Sequence, residues 1–216
     1  WDVADNIQLY VPMASVEFYK TAAGWSAYAD AIVGYDFEKG VDITPAVPNN
    51  EIWYTSTDGK IVEPYWTIDN QGDSVFGANI VSNTYTNGKG VIKFNSNVTS
   101  IEHQAFSQCS SLESVIIPNS VTSIKSWAFY GCSSLTSITI PESVTLIGDS
   151  AFSKCSTLAS VYCKPTTPPR AQDWSNGAFN NNALDRKIYV PTESVEAYKT
   201  AKGWSEYADS IVGYDF

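Results

Sequence analysis

The sequence lacks the excess of basic residues that a nucleic-acid-binding protein needs. Its 216 residues include 13 Lys and Arg against 23 Asp and Glu, a formal net charge of −10. Because a phosphate backbone is held mainly by Lys and Arg, this composition argues against a nucleic-acid partner. A membrane-spanning helix needs roughly 20 consecutive apolar residues. No apolar run of the sequence approaches that length, so no span is predicted in this segment.

Groups that usually perform acid-base catalysis or bind metals are scarce or scattered. His103 is the single histidine, and Ser126 and Asp149 take its place in the repeats described below, which indicates an exposed turn. No pattern orients a base towards a nucleophile, as a Ser-His-Asp triad requires. Acidic residues never recur at calcium-loop spacing. Paired carboxylates for glycoside hydrolysis are not excluded, but no element predicts a cleft for them. We predict no catalytic, cofactor or metal site.

What the sequence does contain is a repeat of 23 residues. The segments Val98 to Pro118, Val121 to Pro141 and Val144 to Pro165 align throughout, and their apolar positions recur at this spacing. One coil cannot bury its own apolar edge, so coils stack and each inward side chain touches its equivalents above and below. The predicted inward ladders are Val98/Val121/Val144, Ile101/Ile124/Ile147, Phe106/Phe129/Phe152, Cys109/Cys132/Cys155, Leu112/Leu135/Leu158, Val115/Ile138/Val161 and Ile117/Ile140/Cys163.

Within each repeat the apolar spacing predicts a short strand. The stretch Leu112 to Ile117 follows the Leu-x-x-Leu-x-Leu pattern of leucine-rich repeats. Degenerate repeats on both sides extend the predicted coils to about 74–191. The last coil is interrupted by an insertion at 166–176, which we expect to be an ordered but irregular loop. After it, Gly177 to Phe179 keep the Ala-Phe pair of the repeat, and Leu184 to Pro191 keep the strand.

A longer repeat overlies the coils. Leu9 to Phe37 and Ile188 to Phe216 are identical at 22 of 29 positions. In the second copy Val195 and Tyr198 lie three residues apart after a serine, which predicts a short amphipathic helix with a Ser cap. Because this copy follows the last strand, we predict that residues 192–216 are the C-terminal cap that stacked repeats require.

The first copy has no repeats before it. We therefore interpret residues 1–37 as the C-terminal cap of a preceding module, residues 38–50 as a linker and residues 51–216 as a second module. In that module Asp58-Gly59, between two β-rich runs, predicts a tight hairpin and an N-terminal hairpin cap at 51–66. Asn87-Gly88 predicts another hairpin turn. We expect the apolar face of residues 1–37 to dock elsewhere, either on the hairpin side at Glu51 to Tyr65 or on another molecule in a chain-chain contact.

The repeat SxxAFxxCSSLxSVxIPxSVTSI, the stretch PNNEIWYTSTDGKIV and the tail ending in YADSIVGYDF closely resemble the BspA-like leucine-rich-repeat surface proteins of Bacteroidetes bacteria. The resemblance covers nearly the whole chain. It implies an α/β, β-rich fold, namely a right-handed leucine-rich-repeat solenoid with 23-residue coils, an N-terminal hairpin cap and a C-terminal helical cap. It also implies export to the cell surface, a role in adhesion, and no shared active site.

The four cysteines are predicted to be free thiols. Cys109, Cys132 and Cys155 share one ladder, and Cys163 stands at an inward strand position, so all four are interpreted as small buried side chains. Equivalent side chains in stacked coils point the same way, which suits disulfide geometry poorly. One disulfide or a metal site remains an alternative, although ligands in a row cannot surround a tetrahedral ion.

Aromatic residues outside the ladders are the candidate partner-binding residues. Exposed aromatic side chains anchor protein partners or stack on sugars, whereas partial burial against neighbouring coils is the competing interpretation. The outward triplets of the three regular strands are short and mostly neutral, so we expect contacts at the loop edge more than at the strand face. The candidates are Trp127, Tyr130, Trp174, Tyr65 and Trp66.

Three functions are compatible with this organisation. The first is a non-catalytic, extracellular or cell-surface binding module for a protein or glycan partner. The second is a structural spacer in a tandem-repeat surface protein, and the third is an enzyme of unknown class. The sequence begins at Trp1 without an export signal, so we expect a mature segment from which such a signal has been removed.

Overall fold

The computed structural model describes residues 9–12, 32–36, 41–42, 47–64, 74–171 and 177–216. The chain divides into two compact units, Trp1–Ala46 and Val47–Phe216. In the first unit β1 (Leu9–Pro12) pairs in parallel with β2 (Ile32–Asp36), and β2 pairs antiparallel with β3 (Val41–Asp42). The rest of the predicted cap at 1–37 lies outside the described residues.

The second unit begins with an antiparallel sheet of four strands, β4 (Glu51–Ser56), β5 (Ile80–Thr86), β6 (Lys89–Phe94) and β8 (Leu112–Ile116). Their order in the sheet is β5-β6-β4-β8. A left-handed turn at Asn87 (φ 51°) and Gly88 (φ 77°) connects β5 and β6, so the predicted hairpin at this dipeptide is confirmed.

Residues 47–50, predicted from the sequence to be part of the linker, belong to this unit. Val98 N donates to Asn49 O at 2.7 Å and Phe94 N donates to Asn50 O at 2.9 Å.

The hairpin predicted at Asp58-Gly59 is wrong. Gly59 (φ 66°) does make a turn, but residues 61–64 form no strand, and β4 pairs instead with β6 and β8. The cause is Tyr54, whose hydroxyl accepts a hydrogen bond from Val62 N at 3.2 Å. Val62 is thereby buried under the sheet edge and is not available for strand pairing. The remainder of the predicted hairpin cap, residues 65–66, lies outside the described residues.

The repeats build two parallel sheets of short strands. The strands are β7 (Ser100–Ile101), β9 (Ser123–Ile124), β10 (Ser137–Ile140), β11 (Leu146–Ile147), β12 (Ser160–Cys163), β13 (Arg170–Ala171), β14 (Lys187–Pro191) and β15 (Ile211–Tyr214). One sheet has the order β10-β12-β14-β15 and the other the order β13-β11-β9-β7. Ser137 pairs with Ser160 and Ser123 pairs with Leu146, so the strand register follows the 23-residue period in both sheets.

A stack of phenylalanine rings forms the centre of the core. Phe106, Phe129, Phe152 and Phe179 are buried, with successive ring centroids 5.2, 5.2 and 5.3 Å apart and planes within 9° of parallel. The backbone supports this spacing, since Phe129 N donates to the carbonyl of Ala151 in the next coil at 2.8 Å. The predicted phenylalanine ladder is confirmed and gains a fourth member.

The last coil departs from the predicted pattern. The strand predicted from Leu184 to Pro191 begins only at Lys187, and Leu184 is fully exposed. Arg186 Nη1 donates to Asn182 Oδ1 at 3.2 Å and to the Phe179 carbonyl. The insertion also contains a strand, β13, where an irregular loop was expected.

The C-terminal cap is helical, as predicted. Helix α1 (Val195–Thr200) buries Tyr198, and a 3-10 helix follows at Ser205–Ser210. Ser194 stands at the N-cap position as predicted, but its hydroxyl donates to Thr166 O at 2.8 Å and not to the helix. Trp204 Nε1 donates to Pro169 O and Tyr198 Oη donates to Pro165 O, both at 2.7 Å. These bonds fasten the cap to the insertion.

Candidate functional site

The coil edge that carries the predicted binding residues has an unusual but regular backbone. Gln104, Trp127 and Ser150, spaced by 23 residues, have φ values of 59°, 60° and 55°. This left-handed conformation turns each backbone N–H towards the next coil. Trp127 N donates to Asp149 O at 3.1 Å and Gln104 N donates to Ser126 O at 3.3 Å. The edge is therefore built by hydrogen bonds between coils, and it fixes the direction of each side chain.

A second left-handed position lies four residues further along each coil. Its members are Gln108, Gly131, Lys154 and Asn181, with φ values between 56° and 72°. Gly131 N donates to Ser153 O at 2.9 Å, and the N–H groups of Gln108 and Lys154 donate to the next coil in the same way. Glycine and asparagine adopt this conformation readily, and larger residues do so at a cost.

At this edge the structure brings two of the predicted residues together. Trp127 is 41% exposed, and its ring centroid lies 6.0 Å from that of Tyr130. His103, from the preceding coil, lies 5.4 Å from Trp127 at an interplanar angle of 32°. Lys154 Nζ, from the following coil, lies 5.1 Å from the centre of the Tyr130 ring. We call these four residues the edge cluster.

The other predicted binding residues, Tyr65, Trp66 and Trp174, lie outside the described residues. His103 and Lys154 were not among the sequence candidates. His103 is exposed, as expected for a turn, but its contact with Trp127 was not predicted. The sequence feature that could have identified His103 is the 23-residue spacing. This spacing makes residue 104 of one coil equivalent to residue 127 of the next, so residue 103 comes close to Trp127 when the coils stack.

The groups of the edge cluster are aromatic rings and hydrogen-bond donors. Within the described residues, no three His, Cys, Asp or Glu side chains gather where they could hold a metal ion. The cluster instead offers an exposed indole, a phenol, an imidazole and an ammonium group along one edge. Such a mixture of aromatic area and donors is typical of contact surfaces.

The four cysteines are free. Cys132, Cys155 and Cys163 are buried as predicted, but Cys109 is only half-buried, at the end of its ladder, with Sγ 3.3 Å from Glu63 O. Burial raises the pKa of the Cys163 thiol to about 12, and burial together with the nearby Glu63 does the same for Cys109. Both thiols are therefore protonated at neutral pH, whereas a nucleophilic or metal-binding cysteine needs to be a thiolate.

Aromatic residues also gather on the outer face of the strands, where the sequence predicted few anchors. Tyr162 and Tyr189 stack at 4.8 Å, and Tyr214 lies 5.6 Å from each of them. Tyr189 comes from the strand of the degenerate last coil and Tyr214 from the strand of the cap. The prediction of few anchors was based on the three regular coils only. The pairing of Tyr189 in β14 with Val212 in β15 shows that the cap continues the face.

Stacked coils of 23 residues, each adding a short parallel strand and an inward phenylalanine, define a leucine-rich-repeat protein. The chain belongs to the BspA type. The family model for the BspA type leucine-rich repeat region matches residues 79–201 in six copies, so it includes the degenerate coils. None of the curated proteins compared with the chain matches it.

Membership has three general consequences. Leucine-rich-repeat domains generally bind proteins and are typically non-catalytic, and BspA-type proteins are generally associated with surfaces. Among the described residues, no helix is long and apolar enough to cross a membrane. The fold and the family therefore favour a contact surface over an active site.

Proposed function

We propose that this chain is a non-catalytic binding module of an exported, cell-surface protein. Its coils form a right-handed solenoid that presents the edge cluster to an extracellular protein or glycan. The proposal is supported by the family, by the parallel strands in 23-residue register and by the aromatic edge.

Trp127 is the observation that carries the proposal. A bulky side chain in the left-handed region costs of order 1 kcal/mol. The equivalent residues Gln104 and Ser150 adopt the same φ with smaller polar side chains, so the coil does not require an indole there. Trp127 is also 41% exposed, which limits the free energy that the fold gains from burying its side chain. A strained, exposed tryptophan beside His103 and Tyr130 is best explained by contact with a partner.

The test uses a double variant in which the two edge residues of the second coil are replaced by their equivalents in the first coil. In Trp127→Gln with Tyr130→Ser, both positions take residues already present in the first coil, at Gln104 and Ser107. Adhesion is measured to immobilised extracellular matrix proteins and to a glycan array. We expect at least a tenfold loss of binding with an unchanged melting temperature, because hot-spot aromatics dominate contact energy.

Glu113→Ala with Thr136→Ala is the matched control at the start of the strands, away from the edge. Loss of binding in the control alone would place the ligand on the strands and refute the edge site. Absence of any wild-type ligand in both panels would favour the spacer function instead.

One observation specifically favours a spacer. β1 pairs with β2 through Tyr10↔Val33, and β14 pairs with β15 through Tyr189↔Val212, which is the same register in both copies of the longer repeat. Duplicated caps are expected when modules follow one another in tandem. If residues 1–37 are a cap of a preceding module, deleting them will leave residues 47–216 folded with an unchanged melting temperature. Loss of cooperative unfolding would refute that boundary.

A further inference from the structure

A continuous row of apolar and aromatic side chains crosses the outer strand face of the second unit. On the antiparallel side, Trp53 is paired with both Val91 and Ile116. On the parallel side, Thr139 pairs with Tyr162 and Tyr162 with Tyr189. β8 and β10 lie side by side, with Thr136 N donating to Glu113 O at 3.4 Å. The two sheets therefore present one face, and we name its anchors, Trp53, Ile116, Tyr162, Tyr189 and Tyr214, the strand-face stripe.

The stripe is long, narrow and partly open to solvent. Ile116 is 45% exposed and Tyr214 is 42% exposed, and the neighbouring Val212 and Phe216 are 37% and 39% exposed. From β6 to β15 it crosses seven strands, which at about 4.8 Å per strand gives a length of about 29 Å. An extended peptide rises about 3.3 Å per residue, so roughly nine residues would cover it.

Three rings of the stripe have one flat side already occupied. Tyr162 and Tyr189 face each other at 4.8 Å and 13°, and Tyr214 packs at a steep angle against both. On Trp53, the Lys89 ammonium lies 3.0 Å from the ring centroid. A sugar ring binds to an aromatic residue through a free flat face, so these contacts reduce the area on which a sugar could stack. Ring edges and phenol hydroxyls suit protein side chains and hydrogen-bond acceptors such as carboxylates.

The charges beside the tyrosines have the opposite sign to the chain as a whole. Lys187, paired with Ser160, lies on one side of the tyrosines, and Lys164, directly after β12, lies on the other. Both lysines are exposed. Asp215 follows β15, but it accepts a hydrogen bond from Thr192 Oγ1 at 2.7 Å. At the other end of the stripe, Glu51 is bound by Lys93 at 3.3 Å.

The whole chain has a net charge of −10. Lysines on both sides of an aromatic row are therefore a local exception, and they complement an acidic ligand. We propose that the strand-face stripe binds an extended, acidic segment of a partner protein, with its carboxylates between Lys164 and Lys187 and its apolar side chains against the ring edges. This inference rests on the proposed binding function but assigns a second surface and a class of partner.

The probe is a fluorescein-labelled peptide of six Glu-Leu repeats, a length that exceeds the stripe. The comparison probes are six Lys-Leu repeats and a hyaluronan dodecasaccharide, and binding to the whole chain is followed by fluorescence anisotropy. We expect saturable binding of the acidic peptide alone, weakened at least fivefold between 50 and 500 mM NaCl as charge pairs are screened.

Two strand-face variants and one matched control assign the site. Tyr162→Thr with Tyr189→Thr, where threonine is the residue already present at position 139, should weaken the acidic peptide at least tenfold. Lys164→Glu with Lys187→Glu should weaken it by a similar factor. Lys154→Glu reverses a charge in the edge cluster and should change binding less than twofold.

Each other outcome overturns the inference. Hyaluronan binding without peptide binding would make the partner an acidic glycan. If Lys154→Glu weakened binding of the acidic peptide as much as the strand-face variants do, the peptide would be held by general charge attraction and not at the stripe. No binding of the acidic peptide would remove the proposed partner class, and self-association lost in Lys164→Glu with Lys187→Glu would make the occupant a second copy. The edge-cluster double variant, tested on its own ligand, reports separately on the proposed function.

Discussion

Inside the second unit, four phenylalanine rings repeat from coil to coil with almost no change in residue or geometry. At the coil edge the backbone repeats as faithfully, with φ values of 59°, 60° and 55°, yet the side chains are Gln104, Trp127 and Ser150. The backbone alone therefore does not determine which residues repeat. Inward positions are constrained by their stacked equivalents, whereas edge positions are free to carry what a partner requires.

The largest loss of stability should come from a substitution within the phenylalanine stack. Phe129→Ala should lower the free energy of unfolding by about 3–5 kcal/mol, because Phe106 and Phe152 would each lose a stacked ring and a cavity would remain. Urea denaturation followed by circular dichroism measures this change. Phe129→Leu, which retains most of the volume, serves as the milder control. A loss below about 1 kcal/mol for the alanine variant would show that the ladder does not carry the core.

The same contrast explains how much the sequence could predict. Periodicity identified Phe106, Phe129 and Phe152 because stacking makes each position depend on its equivalents. Pairing of β4 with β8 joins Trp53 to Ile116, some sixty residues away, and no repeat encodes it. The hairpin at Asp58-Gly59 failed for the same reason, since Tyr54 holds Val62 through a contact that local turn rules do not contain.

The candidate site was predictable only in part. Trp127 and Tyr130 could be recognised as aromatics outside the ladders, but their left-handed backbone and the contact with His103 needed the aligned coils. Tyr189 and Tyr214 were overlooked because they belong to the degenerate coil and the cap. The start of the last strand was placed too early, since Leu184 is exposed and β14 begins at Lys187.

A smaller loss of stability should appear at high pH, through the buried thiol of Cys163. The ordinary thiol pKa is 9.0, and burial raises the pKa of Cys163 to about 12 in the folded chain. Between these values the unfolded chain loses a proton that the folded chain keeps, so stability should be full below pH 9 and should fall as pH rises from 9 towards 12.

Urea midpoints measured from pH 7 to 10.5 would follow this change. In Cys163→Ala the midpoint should start lower, because a small cavity forms, but it should decline less steeply with pH. Cys109 remains in both chains, and burial raises its pKa as well, so the slope should be reduced and not abolished. An identical slope in the two chains would mean that Cys163 is not the group responsible.

The smallest effect, with the opposite sign, is expected at the variable edge. Trp127→Asn places at φ 60° a residue that tolerates the left-handed region, which should relieve of order 1 kcal/mol of backbone strain. The lost ring contacts with His103 and Tyr130 are partly exposed and should offset only some of that gain. We therefore expect the free energy of unfolding to stay the same or to rise by up to about 1 kcal/mol.

Trp204→Ala is the internal comparison, because Trp204 is 1% exposed and packs edge-on against Tyr198 at 4.9 Å. Its loss should cost about 3–5 kcal/mol, as for other large core truncations. If Trp127→Asn were as damaging as Trp204→Ala, the edge tryptophan would belong to the core and its strain would need no partner to explain it. If only the buried residue matters for stability, the folded unit maintains Trp127 at a cost that must be recovered in binding.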